Sequence, residues 1–335
     1  MTEHLAATLP GLAFEAALAA LRAGAASYDI PCREVPGGIA VDIWGGEVRL
    51  AQAQGAPALA VSAPDMRILF VLQDALASVF EAAGCTPVWD RVDEGALAPG
   101  LSLMRVVSVR QISPGFRRVR LAGPDTARFA AQGLHFRLLL PPAGLVPEWP
   151  RIDAKGRTRW PEGAAALHRP VYTVRALDGL AGWIDFDIFV HEGGGATEWS
   201  AGVKPGAEVG VMGPGGGWVP AASHVTLIGD ETALPAIARI LSLLPSAARG
   251  SAHVAVAAED LPDLPRPAGM ALHRLEGHGA LVPALEAVEL PAGDRFMWFA
   301  AEKRLAESAR KVLRARGLGK SEMMAAAYWA AEGEV

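Results

Sequence analysis

The chain has only two cysteines in 335 residues, Cys32 and Cys85, far apart and without a CxxC spacing. That argues against a disulfide framework or a cysteine-built metal site and makes a reducing cytoplasm the expected location. An excess of positive charge is also missing. The formal net charge is −5, whereas general nucleic-acid binding needs a basic surface. No apolar run reaches the ~18–20 residues of a membrane span. The opening MTEHLAATLPGLAFEAALAA has no basic start before its apolar stretch, so it does not read as a secretory signal. Internal repeats, low-complexity tracts and a GxGxxG fingerprint are absent as well.

What is there is material for packed cores. Hydrophobic residues make up 51% and charged residues 20%, and the length suits two or three domains. Residues 1–97 read as a small α+β domain. A helical pattern, GLAFEAALAALRAGA, precedes three short strands, GIAVDIW, GEVRLAQ and PALAVSA, with Trp44 beside Gly45-Gly46 at a hairpin turn. A longer helix follows, with Pro64-Asp65 as its start signal and Gly84 as its stop.

The polar stretch DEGALAPG leads into strands separated by glycine and proline over residues 98–223. Among them WIDFDIFVH alternates, with Ile184, Phe186, Ile188 and Val190 on one face and Asp185 and Asp187 on the other. A period of two predicts a half-buried antiparallel strand, and six such strands suggest a small β-barrel. From residue 224 to 335 short apolar runs alternate with helical patterns, as in a doubly wound parallel sheet covered on both faces. Ligands in such sheets sit beyond the carboxyl ends of the strands.

Four stretches carry candidate chemistry. HRPVYTVRAL offers an aromatic ring at Tyr172, a hydroxyl at Thr173 and cations at Arg169 and Arg175, a set that suits a flavin but also an ordinary strand. HEGGGATEW can be a loose turn. It can equally bring backbone N–H groups to a pyrophosphate at a helix start, with Thr197 adding a bond and His191 packing or capping. VMGPGGGW is a further glycine-rich strand end. IGDETALPAIARIL places Asp230, Glu231 and Thr232 on the loop after a parallel strand, where a nicotinamide dinucleotide would dock.

Taken in order, these stretches resemble the siderophore-interacting protein family, FAD-dependent ferric-siderophore reductases of the ferredoxin-reductase superfamily. The resemblance runs from about Leu103 to Trp329 and rests on LMRVVSVRQISPGFRRVRLAGPD, YTVR, the His-Gly-rich-Trp segment, GPGGGW and GDETALPAIARIL. It implies a multidomain fold: the small N-terminal domain, an antiparallel β-barrel that binds FAD, and a C-terminal α/β domain for NAD(P)H. GGIAVDIWGGEVRL and PDMRILFVLQ resemble a small domain of unknown function found alone or beside such reductases.

The resemblance assigns FAD contacts to Arg169, Tyr172, Thr173, Val174, Arg175, His191, Gly194, Gly195, Ala196, Thr197 and Trp199, and the nicotinamide approach to Asp230, Glu231 and Thr232. No side chain is expected to be catalytic, since the flavin carries the redox step. Substrate contacts fall to Lys303, Arg304 and Tyr328. The partners it implies are a ferric siderophore or other ferric chelate and, as electron donor, NAD(P)H or a ferredoxin.

The sequence departs from the family pattern in four places. Arg169 stands three residues before Tyr172, where the family has its arginine two before. Gly194-Gly195-Ala196 replaces a Gly-Pro-Ala and is one residue shorter. Ala300-Ala301-Glu302 stands for Ala-Gly-Glu, and Ala330 follows Tyr328-Trp329 where a basic residue is usual. Lys303, Arg304 and Arg310 are the remaining cations for an anionic ferric chelate. Two rivals therefore stand beside the siderophore reductase: a flavin reductase with another acceptor, and a non-catalytic relative that binds a siderophore or partner.

Overall fold

The computed structural model describes residues 2–331. Contacts divide the chain into two compact units, Met1–Ser102 with Leu140–His168, and Leu103–Leu139 with Arg169–Val335.

The first unit is built on an antiparallel six-stranded sheet in the order Cys32–Val35, Gly38–Ile43, Gly46–Ala51, Ala58–Ala63, Glu3–Thr8 and Val88–Trp89. Helices Phe14–Ala26 and Met66–Ala82 bury Leu18, Leu21, Leu69, Leu72 and Phe80 in one core with Ile39, Leu50 and Leu59. The second helix starts because the Asp65 carboxylate accepts the Ile68 N–H at 2.8 Å, an N-cap. It ends at Gly84, which takes the left-handed conformation at φ +81°. Trp44 and Gly45 form a two-residue hairpin turn, both at positive φ, as the tightest hairpins require.

Residues 140–168 fall inside the barrel stretch on the sequence pattern, but they pack within this first unit. The reason lies in their polar partners. Arg157 pairs with Glu81, the Thr158 N–H donates to Asp74 at 2.8 Å, and Ile152 exchanges backbone bonds with Gly95 and Ala96.

The second unit joins two sheets. Seven strands, paired antiparallel, run in the order Val171–Thr173, His135–Leu139, Glu208–Gly215, Leu101–Ser113, Phe116–Ala122, Trp183–Phe189 and Ala176–Asp178. The alternation of WIDFDIFVH predicts one wet face, yet Asp185 and Asp187 are 3% and 7% exposed. Their carboxylates stand opposite arginines of the neighbouring strand and take them in two-pronged bonds: Arg120 to Asp185 and Arg118 to Asp187, all at 2.7–2.8 Å. Pairing of this quality is what lets charged groups leave water.

Five parallel strands form the other sheet, in the order Gly269–Leu275, Arg249–Ala255, His224–Asp230, Arg295–Glu302 and Met323–Trp329. Helix Leu234–Leu243 packs Ile237 and Ile240 with Val225 and Leu227 on one face. Helices Leu281–Ala287 and Lys303–Ala315 cover the other face, with Leu281, Leu285 and Leu313 against Ile228 and Phe299. Phe116 of the antiparallel sheet and Leu134, just before its strand His135–Leu139, join the first of these cores, so the two sheets share one interior.

Candidate functional site

A cleft of about 470 Å³ opens in the second unit, between the end of the antiparallel sheet and the carboxyl ends of the parallel strands. Its wall on one side is the short strand Val171–Thr173, held in register with His135–Arg137. The Tyr172 ring packs at 5.0 Å from Phe186, and burial raises its phenol pKa above the ordinary range. Thr173 is buried beside it. Phe116, Phe189 and His191 extend this wall.

The opposite wall comes from two parallel strands. Strand His224–Asp230 ends in Asp230, which is wholly buried and accepts from the Thr232 hydroxyl at 2.6 Å and the Thr232 N–H at 3.0 Å. Its other oxygen takes the Trp329 indole N–H at 2.8 Å. Glu231 pairs with His278 at 2.8 Å. Glu231, Thr232, Tyr328 and Trp329 thus face the cleft, while Asp230 stands behind them as the group that fixes their loop.

One residue at the centre of this geometry carries no signal in the sequence. His135 sits between the walls, with Nδ1 3.1 Å from the Thr173 hydroxyl and Nε2 3.0 Å from the Tyr328 hydroxyl. Its ring meets Tyr328 edge-on at 5.5 Å. Burial holds the imidazole pKa down at about 4 and raises that of the Tyr328 phenol. In HFRLLL it is a lone histidine at the start of an apolar strand; only the 38- and 193-residue spans to its partners reveal it.

The remaining sequence candidates lie off this cleft. Val174 is buried, with its N–H on the Leu134 carbonyl. Arg175 turns to Asp187 at 3.9 Å, and burial lowers its guanidinium pKa. Arg169 is exposed, and its carbonyl accepts from Arg137. Gly194 precedes helix Gly195–Gly202, so Gly195, Ala196 and Thr197 form its first turn, and no side chain caps it. The Thr197 hydroxyl accepts from the His191 N–H at 3.3 Å and reaches the Phe189 carbonyl, closing its own loop. Gly194 has no room for a side chain, because a Cβ there would come within 2.7 Å of the His191 ring. Trp199 is half-buried on the same helix. Lys303 and Arg304 begin helix Lys303–Ala315, where the Glu302 carboxylate accepts the Arg304 N–H at 2.7 Å.

The donor set around the cleft fits a flavin dinucleotide. An aromatic face and a hydroxyl line one wall, and beyond His191 a glycine turn leads to a helix whose first amides have no side-chain cap. Such amides are suited to an anion.

The fold and the cleft place the protein in a class: an antiparallel sheet joined to a doubly wound parallel one, with a cleft between them at the carboxyl edge of the parallel strands. The family follows from comparison with known proteins. Residues 105–218 match the siderophore-interacting FAD-binding domain, and residues 222–332 match the siderophore-interacting protein domain. The chain belongs to the siderophore-interacting protein family. It is 30% identical over 243 residues to the NADPH-dependent ferric-chelate reductase of Escherichia coli (strain K12), covering 68% of this chain and 92% of that one. It is also 30% identical over 246 residues to the ferric vibriobactin reductase of Vibrio cholerae, covering 68% and 88%. The crystal structure of a siderophore utilization protein from T. fusca superposes with a TM-score of 0.60 at 32% identity, covering 73% of this chain and 97% of that one.

Proposed function

We propose that the protein is an FAD-dependent reductase of ferric siderophores that draws electrons from NAD(P)H. The observation that carries this reading is the meeting of Tyr172 and Thr173 with Glu231, Thr232 and Tyr328 across one cleft. On this reading the seven-stranded sheet is the FAD-binding barrel and the parallel sheet brings the nicotinamide. Two free cysteines suit a reducing cytoplasm as its workplace.

Bound FAD would supply one piece of chemistry, taking an electron pair as hydride and giving it up singly to Fe(III). The chain does the rest. Tyr172 would offer its face to the ring system, and Thr173 its hydroxyl to the ring's polar edge. The first turn at Gly195, Ala196 and Thr197, together with Arg169 three residues before Tyr172, would hold the pyrophosphate. Glu231 and Thr232, on the loop that Asp230 fixes, would orient the nicotinamide. Tyr328 and Trp329 line the far side of the cleft. Oxygen-rich chelators hold Fe(II) far more weakly than Fe(III), so reduction frees the metal.

A second reading keeps the flavin and changes the partners. Lys303 and Arg304 do not line the cleft, and Ala330 follows Trp329. This site therefore offers an anionic siderophore few cations, which favours a less charged ferric chelate or another acceptor. A ferredoxin can replace NAD(P)H as donor on either reading. The test is the cofactor: purified protein should absorb in the flavin region and release FAD on heating. Protein that stays colourless after incubation with FAD contradicts both readings.

A further inference from the structure

We propose that Tyr328, His135 and Thr173 form a proton relay that serves the cleft, with His135 as its central carrier. Two neighbouring hydrogen bonds, 3.0 Å and 3.1 Å, join the three side chains in a line, and all three border the same cavity. They come from three strands of two different sheets, Met323–Trp329, His135–Leu139 and Val171–Thr173. The line therefore spans the cleft from its parallel-sheet wall to its antiparallel wall.

The ring between them is fixed in place. A Cβ at Gly216 would stand 2.4 Å from His135 Cδ2, and Gly216 has a φ of +74°, so only glycine leaves that space to the imidazole. Tyr328 packs edge-on against the same ring.

A neutral imidazole has one N–H and one bare nitrogen, so the line has a direction. In one sense the Tyr328 hydroxyl donates to Nε2 and Nδ1–H donates to Thr173, whose own proton is then free to point into the cleft. In the other sense Thr173 donates to Nδ1 and Nε2–H donates to Tyr328. Passing from the first to the second moves one proton along the line. The Thr173 O–H bond breaks toward an acceptor in the cleft while the Nδ1–H bond breaks and re-forms on the Thr173 oxygen. The Tyr328 O–H bond likewise breaks and re-forms on Nε2, and the Tyr328 oxygen regains a proton from a solvent hydronium ion, which leaves as water. No charged side chain is left behind, which matters because burial disfavours both imidazolium and phenolate here.

The destination of the proton rests on the reductase reading; the hydrogen-bond line does not. Two-electron reduction of FAD by NAD(P)H takes up one proton beyond the hydride. Reoxidation by two ferric ions returns two. Phe116, Phe189, Pro170 and Pro235 make up the apolar wall around the relay; the other titratable side chains that line the cleft are Tyr172, His191, Asp187, which is bonded to Arg118, and Glu231, which is bonded to His278. What sets the hydroxyl, imidazole and hydroxyl apart is that they are bonded to one another in an unbroken line across the cleft.

The experiment uses FAD-saturated protein, mixed rapidly with NADPH without oxygen, in mixtures of H2O and D2O. Loss of flavin absorbance in the wild type should slow in D2O with a curved dependence on deuterium fraction, as expected when more than one proton moves. His135→Gln keeps the size and a hydrogen bond but cannot change tautomer. It should lose ~10²-fold in rate and most of the isotope effect at unchanged FAD occupancy. Tyr328→Phe should give a similar loss, and the double variant should be no slower than His135→Gln alone, since members of one relay do not add. Wild-type rate and isotope effect in both single variants, or losses that multiply in the double variant, overturn the relay.

A second readout needs no cofactor. Nitrogen NMR of histidine-labelled protein without FAD should show His135 neutral at pH 6 and shared between its two tautomers, with Thr173→Val and Tyr328→Phe each disturbing that balance. A single fixed tautomer, insensitive to both variants, overturns the relay. If the wild type takes up no FAD the reductase reading falls, and this NMR result alone then decides the relay.

Discussion

The Trp329 indole N–H donates to Asp230 at 2.8 Å, tying the last strand of the parallel sheet to the end of strand His224–Asp230, two positions away across Arg295–Glu302. Asp230 also holds the N–H and hydroxyl of Thr232 and the Ala233 N–H. One buried carboxylate thus sets both the loop after one strand and the indole after another. Asp230→Ala leaves these donors without an acceptor and should cost about 2–4 kcal/mol. Asp230→Asn, which keeps one acceptor, should cost less. Urea unfolding followed by tryptophan fluorescence checks the order of the two variants.

The buried carboxylate of Asp187 gives a second prediction. Asp187 takes Arg118 in two bonds and faces Arg175 at 3.9 Å. Asp187→Ala strands two half-buried guanidinium groups and should cost about 2–4 kcal/mol. Replacing Arg118 and Asp187 together by Met and Leu should recover most of that loss. Urea midpoints of the single and paired variants decide it.

Acid should weaken the fold through two histidines. Burial holds His135 and His253 near pKa 4, whereas an unfolded histidine titrates near 6.5. Between these values the unfolded chain binds more protons than the folded one, so it gains as the pH falls. Stability is complete above pH 6.5 and declines from there toward pH 4, by at most about 3 kcal/mol per histidine. His253→Gln should flatten part of that decline in urea midpoints measured from pH 7.5 to 4.5.

The Tyr172 wall gives a fourth. Tyr172→Ala removes the aromatic face and should weaken FAD binding ~10-fold or more, whereas Tyr172→Phe should hold FAD nearly as well. Arg169→Ala should weaken it by a smaller, salt-dependent factor. Titration calorimetry with FAD separates the three. FAD affinity unchanged from the wild type in both Tyr172→Ala and Arg169→Ala would place the cofactor elsewhere.

What the sequence discloses follows the range of the interactions involved. The helix Met66–Ala82 is legible because its start and stop, Asp65 and Gly84, act within three or four residues. The parallel sheet is legible because apolar runs and helical patterns alternate along the chain. Strand Trp183–Phe189 is legible as a strand but not in its environment. Its period of two is real, yet the polar face is buried by Arg118 and Arg120, some 65 residues earlier. The excursion 140–168 escapes for the same reason, since Arg157 and Thr158 find Glu81 and Asp74 far back in the chain. Tyr172, Thr173, Glu231, Thr232 and Tyr328 could be read from motifs. His135 could not, because its role exists only once Thr173 and Tyr328 are folded to either side of it.

Electron transfer from NAD(P)H through the protein to a ferric chelate can be followed in one experiment. Its most direct test mixes FAD-loaded protein with NADPH in the absence of oxygen, follows the bleaching of the flavin, and then adds a ferric siderophore with a ferrous trap. NADPH should bleach the flavin, and the siderophore should restore its colour as two Fe(II) appear per flavin. Flavin that NADPH reduces, but that no ferric siderophore reoxidises and from which no Fe(II) is trapped, would contradict it.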